Sequence, residues 1–409
     1  MEAILILIAI SLSFFFSIIL KKYEIGLFFA LLVSNRITFD SGALLDVCIG
    51  TALFALFFSL ILERKNKVFW IATLLSICYV FVIFYVHPYK INTQFFITYA
   101  IALLMFMCTL LIKWNREKII KFVFAYGVYL IIFGFFEKIF VSPLRIAGPL
   151  TAATAYAVVL VIVWAIWFVE GILSNKQSIK LILLGSFLTL LAILFSGTRM
   201  GLLGLMLGII FGGLFKILIA HKNLIKKFLI VCGLLSVISI LFLTVWYFIP
   251  DDMFVKRSFN SLISGRLDKS SMARVQLWLA SLEIISEHKL WGIGPGNFSG
   301  AVKKYLTLHN MPPLIPVSAD THAHNILLIV LVECGFIGFI TLGVIILSCI
   351  ISLLCKIIKY TDNFVYYGLC SGVIIMMVLG MVDAVPMYLP TICFGAWLLG
   401  VCASFRKEN

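Results

Sequence analysis

Charge is what this sequence has least of. Asp, Glu, Lys and Arg make up 12% of its 409 residues against 63% apolar, with a mean hydropathy of +1.15. A soluble domain needs more polar surface than that. Acidic side chains are scarcer still, 18 against 32 basic, for a net charge of +14. The excess does not point to nucleic acid, because most of the basic residues stand in short links between apolar runs, the distribution that membrane insertion produces. Cys-x-x-Cys pairs are also missing. All ten cysteines fall in or beside apolar runs, which excludes a disulfide scaffold or a zinc ribbon and leaves them as small packing residues. Nor are there the ten-residue alternating segments of an outer-membrane barrel. Residues 3–20 have neither a basic stretch before them nor a small-residue cleavage site before Lys21 and Lys22, so they are expected to remain as a first helix and not to act as a removable signal.

What is present is a series of apolar runs, each near the length needed to cross a hydrocarbon core of about 30 Å as a helix. They fall at 3–20, 24–35, 43–62, 68–86, 94–113, 119–141, 151–173, 179–195, 199–220, 226–249, 324–355, 363–382 and 386–404. The expected fold class is therefore an all-α polytopic membrane protein of twelve or thirteen transmembrane helices. Its expected parts are an N-terminal bundle over 1–249, a large loop over 250–321 and C-terminal helices over 322–409. Placing alternate links on opposite sides puts nineteen basic residues on one side and five on the other, outside the long loop. The richer side is expected to be cytoplasmic, so the long loop faces outward and the C-terminus inward.

The loop has its own pattern. Met272, Val275, Leu277, Trp278, Leu279, Leu282 and Ile285 recur at roughly helical spacing and predict an amphipathic helix carrying Arg274. A turn-rich stretch, Gly292-Ile293-Gly294-Pro295-Gly296-Asn297-Phe298, ends it. These glycines follow no strand and sit in no βαβ unit, so they are not a dinucleotide fingerprint. Pro312, Pro313 and Pro316 then extend the chain toward Asp320-Thr321-His322-Ala323-His324-Asn325, where a membrane run begins.

Ionisable groups in or against a membrane span are costly, which makes each a candidate for function. Arg199, in Ser196-Gly197-Thr198-Arg199, and Arg145, in Pro143-Leu144-Arg145-Ile146, lie on the expected outer side; a snorkelling arginine at a helix end explains either equally well. Arg274 on a loop helix is ordinarily just solvated. His87, His221, His288 and His309 take the default of structural histidines. His322 and His324 differ in flanking the start of a helix beside Asn325, with Glu333 further along. An i, i+2 pair does not share a helix face, which disfavours a two-histidine metal site. Acid–base work by one histidine fits better. Glu333 is expected to be a buried hydrogen-bonding partner. Trp278, Trp291 and Phe298 are explained most simply by packing within the loop.

Together these pieces resemble the O-antigen ligase and polymerase superfamily of bacterial membrane glycosyltransferases. The resemblance is carried by Ser196-Gly197-Thr198-Arg199 opening a helix, Ala273-Arg274-x-x-x-Trp278, Leu290-Trp291-Gly292-Ile293-Gly294-Pro295-Gly296-Asn297-Phe298, and His322-x-His324-Asn325 followed by Glu333-x-Gly335-x-x-Gly338. It is firm over roughly residues 190–345. It implies a GT-C-like glycosyltransferase of the bacterial inner membrane, its active site facing the periplasm and its donor an undecaprenyl-pyrophosphate-linked glycan. In the ligase branch the acceptor is a sugar hydroxyl of the lipid A–core oligosaccharide, and transfer is inverting and needs no metal or other cofactor. By the same resemblance Arg199 and Arg274 hold the donor pyrophosphate and His324 is the catalytic base. Arg145, His322 and Asn325 are expected to contact substrate. Chemistry supports these roles independently: a pyrophosphate leaves with several negative charges, which guanidinium forks match bidentately, and a histidine can accept the proton of an attacking hydroxyl.

Three other readings stay open. A polymerase would use a second lipid-linked repeat unit as acceptor, and a protein O-oligosaccharyltransferase would use a protein hydroxyl. A flippase for the lipid-linked glycan would line several helices with cations at mid-membrane depth; here the helix centres are nearly free of charge, which favours an enzyme.

Overall fold

The computed structural model describes residues 18, 20–34, 53–54, 56–57, 93–141, 145–150, 152–174, 177–220, 269–317, 321–381 and 389–404. The runs expected at 3–20, 43–62, 68–86 and 226–249, and the first part of the long loop, lie wholly or mostly outside them.

Every regular element among the described residues is helical. In chain order they are α1 (Tyr23–Ser34), α2 (Thr93–Leu111), α3 (Arg116–Phe140), α4 (Ala153–Ser174), α5 (Ile179–Ser196), α6 (Arg199–Ala220), α7 (Lys269–Glu287), α8 (Phe298–Leu308), α9 (Ile326–Lys359), α10 (Val365–Gly380) and α11 (Leu389–Ser404), with a 3-10 turn at Gly148–Leu150. Five of these, α3, α4, α5, α6 and α9, are long and apolar enough to span a bilayer; α1, α2, α10 and α11 contain shorter apolar helices. The chain is a multi-pass membrane protein, and the apolar runs at 24–35, 94–113, 119–141, 151–173, 179–195, 199–220, 363–382 and 386–404 match helices within a few residues.

The chain falls into two compact units that cut across the sequence. One comprises Met1–Lys118, Ala273–Cys355 and Gly380–Asn409, the other Ile119–Met272 and Lys356–Leu379.

The second unit is built around α4. Nearly all of α4 is buried, as expected of a helix that is apolar all round and enclosed by neighbours. Its contact with α6 depends on small residues. Gly201, Gly204, Gly208 and Gly212 stand at helical spacing on α6, and a Cβ at each would meet Ala157, Val161, Trp164 or Phe168 of α4 within 3.0 Å. Helices in lipid gain nothing from hiding apolar surface from water, so close backbone approach of this kind supplies the attraction.

In the first unit α11 packs on α2 and α1. Trp114 and Trp397 meet edge to face at 6.0 Å between ring centroids, and the Trp114 indole N–H donates to the Thr109 carbonyl at 3.0 Å.

The loop helices α7 and α8 share one core with the head of α9: Leu277, Ala280 and Ile284 of α7, Phe298, Val302 and Leu306 of α8, and Ile329 and Val332 of α9. Here the observed α7 differs from its expected pattern. Its buried face is Ala273, Leu277, Ala280, Ser281 and Ile284, whereas Met272, Val275, Leu279 and Leu282 are exposed. Size explains the difference: small residues let α7 approach α8 and α9 closely, and the larger apolar side chains stand on the opposite face.

The head of α9 is not a continuous helix. Gly335 has φ 63° and ψ −169° inside it, which interrupts the ladder at Val332 and Glu333. The turn before α8 fills the gap. Ile293 N–H donates to the Val332 carbonyl and Gly294 N–H to the Glu333 carbonyl, both at 2.9 Å, while Phe336 N–H donates to Lys289 at 2.8 Å and Ile337 N–H to Leu290 at 3.2 Å. The Val332 and Glu333 carbonyls and the Phe336 and Ile337 N–H groups at the break thus find partners in the turn. A Cβ on Gly335 would lie 2.3 Å from the Leu290 carbonyl oxygen, and one on Gly292 would lie 2.5 Å from that of Val332, so both positions need glycine. Beyond the break, residues 336–359 form a helix about 36 Å long, sufficient by itself to cross a bilayer. Its exposed side chains Ile340, Val344, Leu347, Ile351 and Leu354 form a lipid-facing stripe.

Candidate active site

The histidine turn sits directly before α9, outside the helix. Ala323 between the two histidines is fully buried in the core shared with α7 and α8, and its carbonyl accepts the Trp278 indole N–H at 2.8 Å. That bond fixes the turn to α7 one helical turn beyond Arg274. The histidine rings pack edge to face, 4.3 Å between centroids, and the His324 backbone N–H points to His322 Nδ1 at 3.4 Å, at the outer limit of a hydrogen bond. His324 itself has φ 49°. A non-glycine residue in this left-handed region costs roughly 1–3 kcal/mol and persists where its surroundings over-determine it. The irregular start accounts for two imidazoles meeting at i, i+2 spacing.

Asn325 is held by backbone at both ends of its carboxamide. Its Oδ1 accepts Leu327 N–H at 2.9 Å and Leu328 N–H at 3.1 Å, an N-cap for α9, and its Nδ2 donates to the Met381 carbonyl at 2.9 Å. Its Oδ1 starts the helix and its Nδ2 holds the segment at Met381.

Glu333 is buried and its Oε1 accepts Gly296 N–H at 3.0 Å; the Phe298 N–H also lies toward the carboxylate. A carboxyl group at this position accepts backbone donors around the start of α8 that have no partner within the helix. Glu333 is the hydrogen-bonding partner expected of it, and Phe298, 2% exposed, packs in the shared core. Sequence reading missed the part played by the glycine turn. Gly292 and Gly335, forty-three positions apart, meet because the turn repairs the helix break; the two glycine-rich motifs carry that signal only when read as a pair.

Arg145 and Arg199 belong to the second unit. Gly197, with φ 62°, ends α5, and Arg199 is the first residue of α6. Arg145 Nε donates to the Ser196 carbonyl at 2.6 Å and Ile146 N–H to the Phe195 carbonyl at 3.2 Å, so the segment carrying Arg145 caps the end of α5. The Glu137 carboxylate in turn receives Ala147 N–H at 2.9 Å and Gly148 N–H. The hydroxyls of Ser196 and Thr198, both buried, lie 2.8 Å apart within the α5–α6 turn. The turn that presents Arg199 is therefore pinned from inside by Ser196 and Thr198 and from the side by Arg145, whose side chain remains largely exposed.

Residues 184–343 match the family model described as O-antigen ligase. The matched stretch contains Arg199, Arg274, His322, His324 and Asn325, and leaves Arg145 outside. No curated protein matches the chain. Over residues 184–343 the chain is similar to the O-antigen ligase family, which supports a function of the O-antigen ligase or polymerase type.

Proposed function

We propose that the protein is an O-antigen ligase that transfers a glycan from undecaprenyl pyrophosphate to a sugar hydroxyl of lipid A–core oligosaccharide at the periplasmic face of the bacterial inner membrane. His324 accepts the proton of the acceptor hydroxyl as it attacks the anomeric carbon from the side opposite the leaving group, so the anomeric configuration inverts. Arg199 and Arg274 neutralise the departing pyrophosphate, their fixed charge replacing a divalent cation. A positioned base contributes typically 100-fold or more. His322 orients His324 from the adjacent position, and Arg145 holds the turn that carries Arg199 and lends charge beside it.

The observation that carries this reading is the histidine turn itself. A left-handed His324, anchored through Ala323 and Trp278, stands at the head of a helix inside the stretch that matches the O-antigen ligase family. Strain of about 1–3 kcal/mol retained at a histidine is what a preorganised base requires. Deletion of the gene tests the reading. Loss of long glycan chains from lipopolysaccharide while polymerised lipid-linked glycan accumulates is the expected result; cores capped by a single repeat unit would assign the chain to polymerisation instead.

A further inference from the structure

Helices α3, α4 and α5 enclose a groove of ≈ 280 Å³ lined by none of the residues proposed for transfer. Phe124 and Val128 of α3 line one wall, Leu181 and Leu184 of α5 the other, and Trp164 and Trp167 of α4 the floor. The floor is shallow enough to leave a channel because two glycines bring the backbones inward: a Cβ on Gly127 would lie 3.2 Å from Val163 and one on Gly185 would lie 2.8 Å from Trp167. Trp164 directs its indole N–H to Ser186 Oγ at 3.0 Å, so its polar edge is satisfied away from the channel. The wall residues Phe124, Val128, Leu181 and Leu184 are 39–53% exposed, and the groove is open along its side. All three helices are of membrane-spanning length, which places this channel within hydrocarbon.

Beyond one end of the groove the helix stripes that line it lead to lysines. Lys121 precedes Phe124 and Val128 at i, i+3 and i+7 on α3, and Lys180 precedes Leu184 at i, i+4 on α5. Both stripes therefore pass from apolar wall to lysine at the same end, and both lysines are exposed. They belong to the basic set expected to face the cytoplasm. An apolar channel in the hydrocarbon layer, ending in two cations at the interface, matches one kind of molecule: an acyl chain joined to an anionic headgroup.

We infer that this groove is a binding site for an anionic phospholipid of the leaflet that meets Lys121 and Lys180, its acyl chain against Trp164 and Trp167 and its phosphate between the two lysines. This is independent of the transfer reaction and concerns a lipid retained as part of the fold.

Native mass spectrometry of the full-length protein, purified in mild detergent and offered equal amounts of dioleoyl phosphatidylglycerol and dioleoyl phosphatidylethanolamine, tests it. One bound phosphatidylglycerol is expected in preference to phosphatidylethanolamine, by about fivefold for each lysine near the headgroup. Lys121→Gln with Lys180→Gln should remove the preference while one lipid of either kind still binds. Val128→Trp with Leu184→Trp, which fills the channel from its exposed rim, should abolish retention of both. Equal retention of the two lipids by the unaltered protein would overturn the inference. So would undiminished retention by the filled variant, or displacement of phosphatidylglycerol by an added polyprenyl phosphate, which would assign the channel to an isoprenoid chain.

Discussion

The indole N–H of Trp278 donates to the carbonyl of Ala323 at 2.8 Å, so a helix of the long loop grips the backbone between the two histidines. Replacing Trp278 with Phe keeps most of the apolar packing and removes only that bond. A typical hydrogen bond contributes about 1 kcal/mol net, a modest loss of stability, but the turn holding His324 in its left-handed conformation would lose its anchor. Transfer should fall by about tenfold with a small shift in melting temperature. An unchanged turnover in Trp278→Phe would detach Trp278 from the site.

The break in α9 makes a sharper structural prediction. Gly335→Ala places a methyl group 2.3 Å from the Leu290 carbonyl oxygen at a φ of 63°, and neither partner is a flexible side chain. Several kcal/mol of destabilisation follow, at the upper end of single substitutions. The yield of monodisperse protein in detergent should collapse. Gly343 on the same helix has open space at its Cβ position, so Gly343→Ala should be neutral or stabilising by up to about 1 kcal/mol. Equal yields for the two variants would contradict the clasp.

Much of this architecture could be read from the sequence, because apolar runs of membrane length leave little freedom. The ends of α3, α4, α5 and α6 fall within a few residues of the runs that predicted them. Two features escaped for physical reasons. The apolar residues of α7 lie on two faces, and spacing alone does not say which will meet α8 and α9; the small residues Ala273 and Ala280 do. The glycine turn and the α9 break are a tertiary pair, each incomplete alone, so local pattern revealed two motifs but not their contact. Glu333 was legible as a buried partner because an isolated carboxylate in an apolar run must find donors, and Gly296 supplies one. In Asn325 the side-chain type was informative but admitted both a cap and a substrate contact.

Asn325 separates those two roles experimentally. Asn325→Asp keeps an acceptor for Leu327 and Leu328 at the start of α9, whereas Asn325→Ala leaves both donors without it. Alanine should cost about 1 kcal/mol for the lost cap. Both variants also lose the donor to the Met381 carbonyl, so the comparison between them, with melting temperature as the measure, isolates the cap, and alanine should be the less stable of the two. If capping is its function, the aspartate variant retains transfer with KM near that of the unaltered protein. A large rise in KM at unchanged melting temperature would instead mark Asn325 as a substrate contact.

In the proposed reaction His324 is the base, and Arg199 and Arg274 hold the leaving pyrophosphate. The most direct test is the transfer rate of purified full-length His324→Ala, assayed with lipid-linked glycan donor and lipid A–core acceptor, beside its melting temperature. A fall of about 100-fold or more with the melting temperature retained is the predicted result. Transfer within about twofold of the unaltered protein would contradict it.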